Sequence, residues 1–195
     1  MYKITKNLDI IINQLNKGGI VIIPTDTIFG IACNAFNEKS IKKIFEIKKR
    51  PLTLPLSIAI KNKDYFNIVA KDISNNAHNV IDKYFPGQVT IVLKKKDIIS
   101  DLITANQDYV GIRIPDDKNI QYILNNIDFP IVLTSANIHN YPNCGTVEEI
   151  NEQIGDKVDY ILDGKINENK LGSTIVKFED NNMTILRKGA IDVVL

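Results

Sequence analysis

The chain has 195 residues, of which 44% are hydrophobic, so it is long enough to bury one sizeable core and is expected to form a single domain over 1–195. Its 24 basic residues nearly balance its 23 acidic ones, which excludes a global field that would draw the chain onto nucleic acid or an anionic membrane. Two cysteines far apart in sequence, Cys33 and Cys144, and two histidines do not make a structural zinc site, so we expect reduced thiols and no metal ligands. No apolar run has the length of a signal peptide or a membrane span, so we expect a cytoplasmic protein.

The first half of the sequence predicts alternating helices and short buried strands. Apolar residues recur at helical spacing in three segments, and the apolar runs between them are bounded by glycine, proline or polar residues, which is typical of strands. In chain order we predict a helix over 8–18, strands over 20–23 and 28–33, a helix capped by Asn37 that ends before Pro51, a strand over 56–60, a brief turn capped by Asp64, and a helix from near Asp72 to Phe85.

The second half continues the alternation and closes on a hairpin. We predict a strand over 89–93, a loop with a helical turn over 94–108, a strand over 110–114, a short helix over 120–124, a strand over 130–133, a helix from the capping pair Thr146 and Glu149 to Gly155, a strand over 160–162, and a hairpin of 173–178 and 183–187. This order predicts an α/β fold in which a twisted mixed sheet is flanked by helices.

Two polar turns lie at the ends of elements that must pack together. Thr25-Asp26-Thr27 follows a buried strand, and Lys48-Lys49-Arg50 ends the helix that begins after Asn37. Cations suit the C-terminus of a helix, so the second turn has a purely structural explanation. Its functional interpretation is a phosphate clamp, because a lysine and a planar arginine fork together neutralise a polyphosphate.

Arg113 is the least expected charge, because it alternates with apolar residues in a strand. It either pairs with an acidic neighbour or receives a carboxylate or phosphate from a ligand. The hydroxyl and amide side chains of 134–137, and the turns at 172–174 and 187–189, serve equally well as turns or as ligand donors. The sequence has no glycine-rich phosphate loop, so side chains would have to hold any nucleotide.

Eight motifs in order, spread along nearly the whole chain, resemble the short form of the YrdC/TsaC family of threonylcarbamoyl-AMP synthases. They are PTDTIFG from Pro24, KKRP from Lys48, PL at Pro55, FPGQVT from Phe85, VGIRIP from Val110, TSAN from Thr134, GST from Gly172 and RKGAI from Arg187. The resemblance implies a YrdC-like domain with a concave basic groove. It also implies a nucleotidyltransferase that joins L-threonine, bicarbonate or CO2, and ATP into threonylcarbamoyl-AMP with release of pyrophosphate.

The same resemblance implies residue roles and partners. It assigns phosphate binding and catalysis to Lys48 and Arg50, threonine binding to Thr27, Arg113 and Ser173, and further nucleotide contacts to Ser135, Asn137, Asn143 and Arg187. Magnesium is expected with ATP, held by phosphate oxygens and water. Other proteins would transfer the threonylcarbamoyl group to the adenosine beside the anticodon of tRNA, with at most a weak tRNA contact by this chain.

Several positions depart from the family pattern, and two other functions compete with this one. Asp26 replaces a common glutamate, Gln88 and Lys188 each replace a proline, Leu54 replaces a polar residue, and His139-Asn140 replaces Ser-Gly. A module that binds RNA directly would need a broad cationic surface with aromatic platforms, and the chain has no tryptophan. A carbamoyl-transfer domain of the hydrogenase-maturation type would come with zinc-finger and acylphosphatase regions, of which the sequence shows no trace.

Overall fold

A computed structural model describes residues 3–166 and 171–195. In these ranges ten strands form one mixed sheet: β1 Lys3–Thr5, β2 Val21–Ile23, β3 Gly30–Asn34, β4 Ser57–Ala59, β5 Val89–Lys94, β6 Tyr109–Arg113, β7 Ile131–Ser135, β8 Tyr160–Leu162, β9 Thr174–Glu179 and β10 Asn182–Arg187. Their spatial order is β1-β8-β2-β3-β7-β4-β6-β5-β9-β10. Parallel pairs (β1 with β8, β2 with β8, β4 with β6, β5 with β9) are mixed with antiparallel ones. The predicted mixed α/β fold is therefore confirmed.

Seven α-helices connect the strands over the same ranges: α1 Leu8–Asn16, α2 Glu38–Lys48, α3 Phe66–Val69, α4 Asn75–Tyr84, α5 Asp101–Thr104, α6 Lys118–Asn125 and α7 Val147–Ile154. Short 3-10 turns lie at Lys63–Tyr65 and Gly155–Lys157. The predicted caps Asn37 and Thr146 are confirmed, since their side chains accept hydrogen bonds from the backbone N–H groups of Ser40 and Glu149. None of the helices in the described part of the chain is long and apolar enough to cross a bilayer.

Three local predictions need correction. The brief turn before α3 is capped by Asn62 rather than Asp64, because the Asn62 side chain accepts from the N–H of Tyr65. Helix α4 begins after Ser74, whose hydroxyl accepts from the N–H of Ala77, whereas Asp72 has a left-handed φ of 54° that a helix does not contain. Strand β1 was not predicted, since three mostly exposed residues carry no apolar pattern.

Two apolar clusters occupy the two faces of the sheet. Successive residues of β2 fall in different clusters, with Ile22 in the larger one and Val21 and Ile23 in the smaller one. This alternation places the clusters on opposite faces. Helices α2, α4 and α7 contribute to the larger cluster, and α1 and α6 to the smaller one. Helices thus flank the sheet on both sides.

Helices α1 and α6 pack against the smaller cluster and leave the other half of that face uncovered. On the uncovered part, Ser57, Gly111, Val92 and Lys177 are cross-strand neighbours on β4, β6, β5 and β9, and each is only half-buried. The opposite face of the same strands carries Ile58, Ile112, Ile91 and Val176, which are fully buried. The residues that face this open side therefore form a floor on which no helix of the described ranges packs.

Candidate functional site

A cavity of about 480 Å³ lies on this floor. Its walls are the segment between β2 and β3, the turn after α2, the end of β7, and the start of β9 with the end of β10. The two polar turns singled out in the sequence therefore both contribute to the cavity, through Thr25 and Thr27 and through Arg50. The cavity also extends across the face of the sheet, where Ser57 and Gly111 line it.

The segment between β2 and β3 is folded by its own hydroxyl groups. The Thr25 Oγ1 atom donates to the carbonyl oxygen of Ile28 at 2.7 Å and accepts from the N–H groups of Thr27 and Ile28, each at 3.2 Å. A threonine that bonds its own backbone in this way closes a tight turn. Thr25 and Thr27 both line the cavity as a result.

Arg113 reaches the cavity from β6, and 9% of its side chain is exposed. Its Nη1 donates to Thr27 Oγ1 at 2.9 Å, its Nη2 to Asp26 Oδ1 at 2.5 Å, and its Nε to the carbonyl oxygen of Gly87 at 3.3 Å. Burial lowers the pKa of Arg113, and the adjacent Asp26 carboxylate opposes that shift. A guanidinium has five N–H groups, of which the described residues use three, so it retains donors for a ligand.

Ser173 and Arg187 form the wall on the β9–β10 side. Arg187 Nη2 and Nε donate to the carbonyl oxygen of Ser173 at 2.7 and 3.2 Å, and the Ser173 hydroxyl lies 2.7 Å from that of Thr90. A Cβ atom at Gly172 would lie 2.8 Å from Arg187 Nη2. Glycine at this position therefore leaves room for the Arg187 guanidinium beside the main chain.

Arg50 enters from the turn that follows α2. Lys49 ends the helix in the left-handed conformation, with φ of 48°, and this turns the chain toward the cavity. Arg50 Nη2 donates to the carbonyl oxygen of Pro55 at 2.8 Å, and its Nη1 lies 3.4 Å from His139 Nδ1. Partial burial lowers the pKa of Arg50. Its side chain is thus held by the main-chain oxygens of Leu54 and Pro55.

Lys48 lies elsewhere than we expected from the sequence. It is only 1% exposed and is not among the residues that line the cavity. Its ammonium group donates to the carbonyl oxygen of Ser135, and to the carbonyl and side-chain oxygens of Asn137 at 2.8 and 3.2 Å. Burial, reinforced by the charge of Arg50, lowers the pKa of Lys48 to about 7. The lysine therefore lies behind the wall that Ser135 forms.

Six of the nine residues singled out in the sequence line this one cavity, and three do not. The six are Thr27, Arg50, Arg113, Ser135, Ser173 and Arg187. Besides Lys48, the exceptions are Asn137, which is 5% exposed and donates to the carbonyl oxygen of Tyr141, and the half-buried Asn143. The direct ligand roles expected for these three stay predictions.

The cavity also has lining residues that we did not predict from the sequence. Lys177 Nζ lies 4.1 Å from the centre of the Tyr109 ring, and both residues line the cavity with Ser57, Thr90 and Gly111. Alternation along β6 marked Gly111 and Arg113 as sharing a face, and the same reasoning applied to β5 and β9 would have found Thr90 and Lys177. Pairing between the strands was not visible in the sequence.

The three arginines of the chain all line this cavity. Among 24 basic residues the sequence has arginine only at positions 50, 113 and 187, and all three line the cavity. Arginine and lysine differ in what they bind, because the planar guanidinium matches a carboxylate or phosphate with two parallel hydrogen bonds. The restriction of arginine to one cavity in a lysine-rich chain therefore indicates that the cavity binds anions.

Comparisons with known proteins agree with this geometry. The family of the Sua5, YciO and YrdC proteins, described as "Telomere recombination", matches residues 13–189. The chain is 40% identical over 189 residues to a putative threonylcarbamoyl-AMP synthase of Methanocaldococcus jannaschii, covering 96% of this chain and 88% of the relative. It is 31% identical over 179 residues to a threonylcarbamoyl-AMP synthase of Pyrococcus abyssi, covering 91% of this chain and 52% of that protein.

A solved structure also shares the fold. The Pyrococcus abyssi Sua5 protein complexed with L-threonine superposes with a TM-score of 0.91 at 28% sequence identity, covering 97% of this chain and 57% of that one. The chain thus spans about half the length of the Pyrococcus relative and most of the length of the Methanocaldococcus one.

Proposed function

The chain belongs to the Sua5/YciO/YrdC family, and we propose that it synthesises L-threonylcarbamoyl-AMP from L-threonine, bicarbonate or CO2, and ATP, with release of pyrophosphate. The observation that carries the proposal is the presence of all three arginines of the chain in one cavity, one of them beside a threonine hydroxyl. The substrates together present a carboxylate and a triphosphate, which are the anions that guanidinium groups bind best. The Pyrococcus relative with bound L-threonine supports the amino acid as one substrate.

We assign the two anions to different side chains of the cavity. The remaining N–H groups of Arg113, next to the Thr27 hydroxyl, would receive the threonine carboxylate, with Ser173 contributing from the opposite wall. Arg50 and Arg187 would face the phosphates, and Ser135 would contact the nucleotide.

The reaction needs alignment more than covalent catalysis. The amine of threonine takes up CO2 to give a carbamate, whose oxygen attacks the α-phosphorus of ATP while the bond to pyrophosphate breaks. Fixed cations lower the barrier because they match the negative charge that spreads over the phosphate oxygens in the transition state. Arg50 and Arg187 supply such charge without moving a proton, since a guanidinium stays protonated at neutral pH.

Magnesium would enter as part of the MgATP substrate. Over residues 3–166 and 171–195 no group of three or more His, Cys, Asp or Glu side chains is arranged to hold a metal ion. Magnesium keeps several waters and binds phosphate oxygens readily, so it does not require a protein cage. We propose that the threonylcarbamoyl group of the product then passes to other proteins that place it on tRNA.

Pyrophosphate release tests the proposal directly. We expect release from MgATP only when L-threonine and bicarbonate are both present, with threonylcarbamoyl-AMP as the co-product by mass spectrometry. Replacements Arg50→Ala and Lys48→Ala should each lower turnover more than they weaken threonine binding, because both residues are assigned to the phosphates. Unchanged pyrophosphate release in either variant would contradict that role. Lys63→Ala is the control, because Lys63 is not among the residues that line the cavity and pairs with Asp82 on the surface. Salt-dependent RNA binding without any threonine-dependent pyrophosphate would favour the RNA-binding alternative instead.

A further inference from the structure

A chain of polar contacts lies behind Arg113, on the side away from the cavity. The Gln88 Nε2 atom donates to the main-chain oxygen of Asp26 at 2.7 Å, and the Asp26 carboxylate accepts from Arg113 Nη2 at 2.5 Å. Gly87, the neighbour of Gln88, accepts from Arg113 Nε. Neither Asp26 nor Gln88 is among the residues that line the cavity.

These contacts fix the plane of the guanidinium. Bonds at Nε and Nη2 hold two corners of the planar group, and the Thr27 hydroxyl holds the third at Nη1. An arginine that is free to rotate would lose that freedom on binding a ligand, whereas one already held in place loses little. The contacts therefore pre-organise the group that the ligand meets.

Stability alone does not explain Asp26. Only 9% of the Asp26 side chain and 9% of the Arg113 side chain are exposed. In the described part of the chain, the buried Oδ2 atom of Asp26 has no hydrogen-bond partner. Burying a carboxylate with one oxygen unsatisfied is energetically unfavourable. A role other than stabilising the fold must therefore account for Asp26 at this position. Within the described ranges, the Asp26 carboxylate accepts its hydrogen bond from Arg113 Nη2.

We propose that Asp26 and Gln88 are positioning residues for the substrate carboxylate, acting through Arg113. Asp26 holds the guanidinium plane, and Gln88 holds the main chain of Asp26. The assignment rests on the proposed function, because it takes an amino acid carboxylate as the ligand of Arg113. Neither residue touches the substrate.

Binding of L-threonine by calorimetry and separate KM values for threonine and ATP test the assignment. We expect Asp26→Ala to raise the Kd and KM for threonine by about tenfold and Gln88→Leu by about threefold, with the KM for ATP within about twofold of its original value. Asp26→Glu, which keeps the carboxylate, should recover part of the affinity. Asp82→Ala and Gln121→Leu are matched controls, since Asp82 pairs with Lys63 on the surface and Gln121 Nε2 donates to the main-chain oxygen of Pro115 rather than to that of Asp26.

Threonine binding by the Asp26 and Gln88 variants decides whether the assignment holds. Unchanged or tighter threonine binding in Asp26→Ala would overturn the assignment, and tighter binding would identify Asp26 as a counter-charge that weakens anion binding. If Asp26→Ala does not fold, Gln88→Leu decides, and equal effects on threonine and ATP would then overturn the assignment. Absence of threonine binding by the unaltered chain would overturn the proposed function itself, and this assignment with it.

Discussion

Two buried cations of the site are held in different ways. The Arg113 corner, formed by Arg113, Asp26 and Thr27, pairs the guanidinium with a carboxylate. The Lys48 cage, formed by Lys48, Ser135 and Asn137, holds the ammonium by hydrogen bonds to main-chain and side-chain amide oxygens. Arg113 lines the cavity, and Lys48 lies behind its wall.

The difference shows how a protein keeps a charge in a buried place. Burial lowers the pKa of both side chains, but a guanidinium starts far above neutrality and Asp26 opposes the shift, so Arg113 stays charged. Among the described residues, the hydrogen-bond partners of Lys48 include no carboxylate, and its pKa falls to about 7. A permanent charge therefore faces the cavity, whereas the titratable one ties the end of α2 to the segment after β7.

The largest effect is expected from breaking the Arg113 corner. Arg113→Met leaves the Asp26 carboxylate buried without a partner, which should lower the free energy of unfolding by about 3 to 5 kcal/mol and abolish threonine-dependent pyrophosphate release. Adding Asp26→Leu removes the stranded charge, so the double variant should recover most of the stability and none of the activity. Urea unfolding and the pyrophosphate assay measure both. A double variant as unstable as the single one would contradict the pairing.

An intermediate effect is expected from emptying the Lys48 cage. Lys48→Met leaves the oxygens of Ser135 and Asn137 without their donor, which should lower the free energy of unfolding by about 1 to 3 kcal/mol at pH 7. Urea unfolding of the two chains at that pH measures the difference.

The stability difference between the two chains should also depend on pH. Because the pKa of Lys48 is about 7 in the folded chain and 10.5 for a lysine free in water, the unfolded chain binds more protons between these values. Stability of the unaltered chain relative to Lys48→Met should therefore rise with pH across that window, by about 1 kcal/mol per pH unit, and level off outside it. A difference that stays flat from pH 7 to 10 would show that the cage holds a permanent ammonium.

The smallest effect is expected from Ser135→Ala. The Ser135 hydroxyl lies 3.4 Å from Lys48 Nζ, whereas the main-chain oxygens of Ser135 and Asn137 make the closer contacts. The free energy of unfolding should change by less than about 0.5 kcal/mol, because those contacts remain. Pyrophosphate release should nevertheless fall, since the hydroxyl lines the cavity. A large loss of stability would mean that the side chain, and not the main chain, builds the cage.

Local sequence signals determined most of the secondary structure. Periodicity and caps located α2 and α7, and the strand Tyr160–Leu162 was predicted with the bounds it has. The closing hairpin was also predicted, although its turn is shorter than expected because Glu179 pairs with Asn182. These features depend on residues only a few positions apart, which is why they can be read without a fold. The misplaced starts at Asp64 and Asp72 arose because several neighbouring side chains were equally suitable caps.

What the sequence by itself determined about the site was the set of candidate side chains, six of which share the cavity. Only the tertiary structure decided that Asp26, 87 positions before Arg113, is its partner, and that Lys48 is enclosed by residues 87 and 89 positions away. It also decided that the site lies across the face of the sheet. Such contacts depend on the order and register of strands distant in sequence, and on which side of the sheet the helices leave open, neither of which local propensity encodes.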